Sequence, residues 1–186
     1  MLPCSEAELV GRAQAGDPKA FDELVSLHQE RVYALAYRLL GSADDAADAQ
    51  QDTFVQAWRN LRRFRCEAAF STWLHRITVN LCVSRKRRKN VPVLMEGIEN
   101  SLSWSSNPNA ALSVEISETA AAVRRVLDAM PPHYRALLVL RDMEERPFEE
   151  IARILGCSVD SARSRLCRAR RLLREKMRPY LGGDDE

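Results

Sequence analysis

Asp17-Pro18 and Gly41 bracket a stretch in which Phe21, Leu24, Val25, His28, Val32, Leu35, Ala36 and Leu39 recur with a helical period. A spacing near 3.6 residues gathers these side chains on one stripe of an α-helix. Asp17 suits the N-cap, Pro18 the first helical position, and Gly41 the stop. A helix this long with one apolar stripe must be covered by others, and the flanking segments supply them. Ser5 with Glu8 makes a capping box ahead of Leu9, Val10 and Ala13, and Gly16 closes that short helix. Ser42 caps a third helix running through Ala47, Gln51, Phe54, Trp58 and Leu61, with Asp44 and Asp45 at its positive end. A fourth, from about Phe70 to Lys89, carries Phe70, Trp73, Leu74, Ile77 and Leu81 on one face. The pattern predicts an all-helical domain over residues 1–90.

Residues 91–112 differ. They hold Pro92, Gly97 and Pro108, a Ser/Asn-rich run and no Lys or Arg, and read as a flexible linker. Fully extended, about 22 residues reach roughly 70 Å at ~3.3 Å each. A second small helical domain follows over 113–181, with a short tail at 182–186. Ile116, Ala120, Val123, Leu127 and Met130 make its first amphipathic helix, stopped before Pro131-Pro132. A second helix runs from about His133 to Met143, and a third from Phe148 to Leu155. A turn at Gly156-Cys157-Ser158 then leads into a long helix from Val159 to about Met177. No alternating apolar and polar run argues for a sheet, so the fold class is all-α, two small helical domains joined by a linker.

Composition excludes several classes. No apolar run approaches the roughly 18 residues needed to span a bilayer. The first ten residues carry Glu6 and Glu8 and lack a basic start followed by an apolar core, so a cytoplasmic protein without membrane insertion is expected. Cys4, Cys66, Cys82, Cys157 and Cys167 are scattered and never spaced C-x-x-C, which predicts reduced, mostly buried thiols and no metal site. No cofactor-binding loop is present. Four Asp crowd residues 42–52 with no histidine partner, and no nucleophile has an activating neighbour, so catalytic residues are not expected.

The net charge of +2 conceals two basic blocks. Arg59 to Lys89 holds ten Lys/Arg against one Glu, and Arg163 to Arg178 holds eight against one Glu. Two such blocks on distinct helices point to two contacts with a polyanion. The second lies in a helix-turn-helix arrangement: a short helix, a glycine turn and a basic helix. On that basic helix Val159, Ala162, Leu166, Ala169 and Leu173 share an inward face. Arg163, Ser164, Cys167, Arg168 and Arg171 lie opposite, where arginines can bond guanine O6 and N7 and small side chains permit close approach. Arg165, Arg170 and Arg174 flank that face, where phosphate contacts are expected, and Ser158 stands at the helix start.

The first block mixes rings with cations. Phe64, Phe70 and Trp73 lie among Arg62, Arg63, Arg65 and Arg76, ahead of Arg85-Lys86-Arg87-Arg88-Lys89. Unpaired bases stack on rings while cations track phosphates, so this composition suits single-stranded nucleic acid. Core packing is the competing role for Phe70 and Trp73. The third helix presents Asp45, Asp48, Gln51, Asp52 and Gln56, an acidic face that would repel DNA. A basic protein partner and simple solvation both account for it.

Three motifs in this order resemble the extracytoplasmic-function sigma factors of bacterial RNA polymerase, over about residues 5–180. They are Asp45-Ala-Ala-Asp-Ala-Gln-Gln-Asp-Thr-Phe54-Val-Gln-Ala-Trp58, Phe70-Ser-Thr-Trp-Leu-His-Arg-Ile-Thr-Val-Asn80, and Met130-Pro-Pro-His-Tyr-Arg running on into the helix-turn-helix. The resemblance implies a non-enzymatic initiation factor that binds core RNA polymerase, recognises promoter −10 and −35 elements and helps open the DNA. It implies that Asp45, Asp48, Gln51, Asp52 and Phe54 dock on the β′ clamp helices, with further contact to the β subunit. The stretch Arg62, Arg63, Phe64, Arg65 to Phe70 resembles the loop that captures a flipped −10 base. Trp73, Arg76, Ile77 and Asn80 resemble the −10 recognition helix, with Arg85, Lys86, Arg87 and Arg88 beyond. Ser158, Arg163, Ser164, Arg165, Cys167, Arg168 and Arg171 resemble the −35 reader, and an anti-sigma partner is implied. Gln50 departs from the usual apolar residue at its position, and Cys167 from the usual larger one. Elements about 17 base pairs apart lie roughly 58 Å from each other at ~3.4 Å per pair, within the linker's reach. The alternative is a stand-alone helix-turn-helix regulator, which would bind operators without polymerase and would leave the acidic third helix without a role.

Overall fold

The structure is a computed structural model, and it describes residues 5–89 and 118–180. Among those residues every regular element is helical: α1 (Glu6–Gln14), α2 (Pro18–Leu40), α3 (Ala43–Asn60), a 3-10 turn (Leu61–Arg63), α4 (Phe70–Lys89), α5 (Glu118–Asp128), α6 (Pro132–Leu138), α7 (Phe148–Leu155) and α8 (Val159–Met177). A π-helical stretch, Val139–Met143, continues α6, and a 3-10 turn, Arg178–Tyr180, follows α8. The linker expected at 91–112, the 182–186 tail, Cys4 and Ile116 lie outside the described residues.

The helix starts follow their caps. Ser5 and Glu8 exchange both hydrogen bonds of a capping box, Glu8 Oε2 accepting from the Ser5 backbone at 2.8 Å. Asp17 Oδ1 accepts from the Lys19 backbone at 3.0 Å, and Ser42 Oγ from Asp45 at 3.3 Å. Gly41 ends α2 in the left-handed region at φ +80°, a conformation that costs glycine little.

Leu24, Leu35 and Leu74 are fully buried where α2, α3 and α4 pack together. Each such side chain contributes about 1.5–3 kcal/mol by leaving water. Between α3 and α4 the buried Thr53 and Thr78 hydroxyls meet at 3.4 Å, each also bonded to a carbonyl of its own helix, Ala49 O at 2.7 Å and Leu74 O at 2.9 Å. In the second half, α6, α7 and α8 close on Ile151, Ile154, Leu166 and Ala169. The expected stripe on α5 is rotated. Ala122, Val126 and Met130 are buried, while Val123 and Leu127 are half-buried. The cause is the partner: α5 lies along α8 and packs on Leu173 and Met177, which draws the neighbouring stripe inward.

The two halves do not stand apart. One apolar cluster joins Leu35, Leu39 and Leu40 of α2 and Val79 and Cys82 of α4 to Leu137, Leu138 and Ile151 of the second half. His75 of α4 is buried at this junction, with an Nδ1 that has no hydrogen-bond partner. Burial, assisted by the positive charges of Arg146 and Arg31, lowers its pKa to about 4. Because the unfolded chain binds this proton first, stability from His75 is complete above pH 6.5 and falls as pH drops toward about 4. The loss amounts to roughly 3 kcal/mol at most. Urea midpoints measured across that window should fall in the wild type and flatten in His75→Leu; an identical pH dependence in both would contradict this assignment.

Candidate nucleic-acid interface

Ser158 caps α8, its Oγ accepting from the Ser161 backbone at 3.2 Å, so its side chain is used in aiming the helix. Ala162, Leu166 and Ala169 are buried beneath it. Arg163, Ser164, Arg165, Cys167, Arg168 and Arg171 are all exposed along the outer face. Arg163 lies 5.4 Å over the Phe148 ring, which orients it without burying its charge. Arg170, on the flank, is tied to Asp142. Gly156 at φ +64° makes the sharp turn that sets α8 across α7.

The aromatic set in the first half is a three-ring cluster rather than a row. Phe64 and Trp73 rings lie 4.9 Å apart, and Phe70 stands 5.8 Å and 5.6 Å from them. Phe70 is only 3% exposed, so it forms the wall behind the other two rings and does not itself face solvent. Phe64 and Trp73 are half-buried, with Arg62, Arg63, Arg65 and Arg76 exposed around them. Asn80 is exposed and Ile77 half-buried on the same helix. Sequence reading missed Gln14, whose Nε2 donates to Leu61 O at 3.0 Å and Phe64 O at 2.7 Å and so holds this loop in place. Nothing in the spacing of Gln14 signals that contact, which spans almost fifty residues.

The terminal basic cluster divides. Arg87 and Arg88 are exposed. Arg85 turns back to α3, its Nη2 on Asp52 at 2.5 Å and its Nη1 donating to Asp45 O at 3.3 Å. Lys86 Nζ donates to Asp128 Oδ1 at 2.9 Å. Burial works to raise the Asp128 carboxyl pKa, but the hydrogen bonds from Lys86 and Arg135 outweigh it and hold it below the usual range.

On α3, Asp48, Gln51 and Asp52 are exposed and Asp45 is half-buried, while Ala46, Ala49, Thr53 and Ala57 point inward. Gln50 Nε2 donates to Gln29 O at 2.8 Å, a polar bridge to α2 in place of an apolar contact. Beside this face lies a groove of about 750 Å³, lined by Phe21, Val25, Gln51, Phe54, Val55 and Trp58. Trp58 is 42% exposed and Val55 41%, with the Trp58 ring tilted against Phe21 at 4.9 Å between centroids. Sequence reading treated Trp58 as part of the helix stripe; a large exposed ring beside an acidic face is a binding feature that only packing reveals.

The expectation of mostly buried thiols is corrected. Of the four described cysteines, all free, Cys66 and Cys167 are exposed, Cys157 is half-buried and Cys82 is buried. Cys66 sits in a turn at φ +56° and Cys167 on the outward face of α8, positions that a composition argument cannot distinguish from core. Burial pushes the Cys82 thiol up to about 12. Among the described residues no cluster of His, Cys, Asp and Glu is placed to hold a metal ion, and no helix is long and apolar enough to cross a membrane. Alkylation of the native protein followed by peptide mapping should modify Cys66 and Cys167 first and leave Cys82 untouched until denaturant is added. Early labelling of Cys82 would contradict the packing between the two halves.

Comparison with known proteins places both halves in one family. Residues 24–91 match the Sigma-70 region 2 family and residues 120–173 the Sigma-70, region 4 family. The chain is 36% identical over 188 residues to the ECF RNA polymerase sigma-E factor of Haemophilus influenzae, covering 95% of this chain and 97% of that protein. It is 38% identical over 164 residues to the ECF RNA polymerase sigma factor SigE of Mycolicibacterium smegmatis, covering 87% of this chain and 63% of that longer protein. The solved structure of CnrH in complex with the cytosolic domain of CnrY is similar with a TM-score of 0.61 and 28% identity, covering 90% of this chain and 93% of that one. With both regions matched in order and identity above 30% across almost the whole chain, this protein belongs to the extracytoplasmic-function RNA polymerase sigma factors, non-enzymatic initiation factors that direct the polymerase to promoters.

Proposed function

We propose that three surfaces divide the work of initiation between them. The α2–α3 groove and the acidic face with Asp45, Asp48, Gln51, Asp52 and Phe54 dock core polymerase on its β′ clamp helices. A basic, amphipathic helical partner fits there, because an apolar trough with Trp58 at its rim is bordered by carboxylates. Around Phe64 and Trp73, the arginine-rich loop takes the −10 strand. Extruding a base costs a few kcal/mol, and stacking on the open sides of these half-buried rings returns about 1–3 kcal/mol per base. The exposed face of α8 reads the −35 major groove through Arg163, Arg168 and Arg171, with Arg165 on phosphate. Residues 1–90 and 113–181 serve as the two working domains, and the protein acts in the cytoplasm.

The observation that carries this reading is the presence, in one chain, of an exposed arginine-faced helix-turn-helix and an aromatic-basic loop, each on its own helical support. Phe70 supports the loop from behind, and Arg85 and Lys86 act from positions already paired with carboxylates. The solved relative CnrH carries the cytosolic domain of CnrY. By analogy an anti-sigma partner holds this protein until it is released.

Run-off transcription with purified core polymerase tests the whole. A promoter-specific transcript is expected, and none from any genomic template would overturn the reading. Trp58→Ala should weaken core binding by about 2 kcal/mol or more, as a rim aromatic in a docking trough does, with little change in thermal stability. Arg163→Ala should cost the holoenzyme about 1–3 kcal/mol at one −35 position and relax its specificity there, whereas Arg174→Ala should weaken binding uniformly and reduce the salt slope by about 1. Equal losses on all sequences for both arginine variants would remove α8 as the base reader.

A further inference from the structure

Helix α1 lies ahead of the residues that match region 2, yet it is built into the same apolar cluster as the rings of the −10 loop. Leu9, Val10 and Ala13 are buried with Leu61 and Phe70, and Phe64 and Trp73 pack against that cluster. Three apolar side chains are enough to dock so short a helix. The polar groups at its two ends reach further, and both reach toward the rings.

At the C-terminal end stands Gln14. Its Nε2 donates to Leu61 O at 3.0 Å and to Phe64 O at 2.7 Å. Leu61 O also accepts from the Phe64 backbone at 3.0 Å, which closes the 3-10 turn. Carbonyl oxygens only accept, so the amide nitrogen of Gln14 and not its oxygen must face the loop. One side chain thus clamps the turn from its first residue to the one beyond it. Past Phe64 the chain runs through Cys66 at φ +56°, in the left-handed region that L side chains rarely adopt. A loop of that shape is not favoured by its own sequence and has to be held by its surroundings.

At the N-terminal end stands Glu6. Its Oε1 meets Nε2 of the buried His28 at 2.6 Å. The His28 ring in turn meets Phe70 edge-on, with centroids 5.4 Å apart. Glu6 therefore fixes the ring that abuts the wall behind Phe64 and Trp73. Between the two ends, Gly16 at φ +100° and the Arg12–Asp17 ion pair at 2.6 Å set the angle at which α1 meets α2.

We propose that α1 is a positioning element for base capture at the −10 element, with Gln14 holding the backbone of Phe64 and Glu6 holding Phe70 through His28. The inference rests on the assignment of the Phe64–Trp73 loop to the −10 strand. A ring stacks on a base only at a set angle, whereas arginines on long stems still find phosphates when the loop swings. Base contacts specify and phosphate contacts position, so loss of the brace costs discrimination ahead of affinity.

Gln14 and Glu6 lie outside the surfaces assigned to DNA and polymerase, so they test the brace without touching its readout. Holoenzymes of the full chain are compared as wild type, Gln14→Met and Glu6→Ala. Each is titrated with the −10 strand of a promoter that the wild type transcribes, and with the same strand made abasic where base removal costs most. The wild type should favour the complete strand by about tenfold or more. Gln14→Met should cut that ratio to about threefold or less, and Glu6→Ala should lower it in the same direction. Affinity for the abasic strand, for a −35 duplex and for core polymerase should stay at wild-type values. A residue that merely supports the fold would lower binding to both strands alike and leave the ratio intact. An unchanged ratio in both variants, equal losses on both strands, or collapse of both variants overturns the inference; if only one fails to fold, the other carries the test. A wild type that binds both strands alike would instead strike the −10 assignment itself, which separates the two claims.

Discussion

Everything in this molecule turns on α4 having to satisfy three surroundings at once. One stripe completes the apolar core with α2 and α3, a second meets the other half of the chain, and what remains is left to the solvent side where nucleic acid is to be met. A helix with one buried face can rotate a little to improve its packing. A helix gripped on two faces cannot, so Trp73, Arg76 and Asn80 are presented at a set angle. The neighbouring loop depends on the same grip, because Phe70 at the start of α4 forms the wall against which Phe64 and Trp73 rest. Gln14 pins the far side of that loop from α1, so the aromatic site draws on elements at both ends of the first half.

The charged groups are sorted by the same packing. Two basic blocks look alike in composition, yet the structure separates arginines that hold the fold from those that face outward. Arg135 is buried and spends its donors on the carbonyl end of α2 and on Asp128. Arg85 ties α4 to the acidic helix, and Arg170 pairs with Asp142. Arg163, Arg165 and Arg168 are left along the outer face of α8. Removing a buried guanidinium's partner leaves a desolvated charge, whereas an exposed arginine loses little. Fold and recognition therefore draw on one residue type through different environments.

Much of the fold was legible because helices announce themselves locally. The capping box at Ser5 and Glu8, the Asp17-Pro18 start and the Gly41 stop are satisfied within a few residues of chain, and periodicity supplies the faces. The stripe on α5 was misplaced because the helix it packs against, α8, lies some forty residues on. For the thiols, periodicity had already put Cys167 on the outer face of α8; it was the composition argument, blind to position, that counted it and the turn residue Cys66 among buried groups. The groove with Trp58 went unseen because it forms only where α2 and α3 lie side by side, which the spacing within either helix does not show.

By itself, then, the sequence determined the helices and their order, the arginine-faced helix-turn-helix, the aromatic-basic loop and the acidic helix, since each is written in short-range spacing and residue chemistry. The order of its motifs was also enough to point to the family. Only the tertiary structure decided which rings face solvent and which form the wall, and which cations are tied to carboxylates. It alone brought the two halves together, with α6 and α7 over the second stripe of α4. That stripe mixes Thr72, His75, Val79 and Cys82, too polar to read as core. Its burial follows from contacts between segments more than fifty residues apart, where local periodicity has nothing to say.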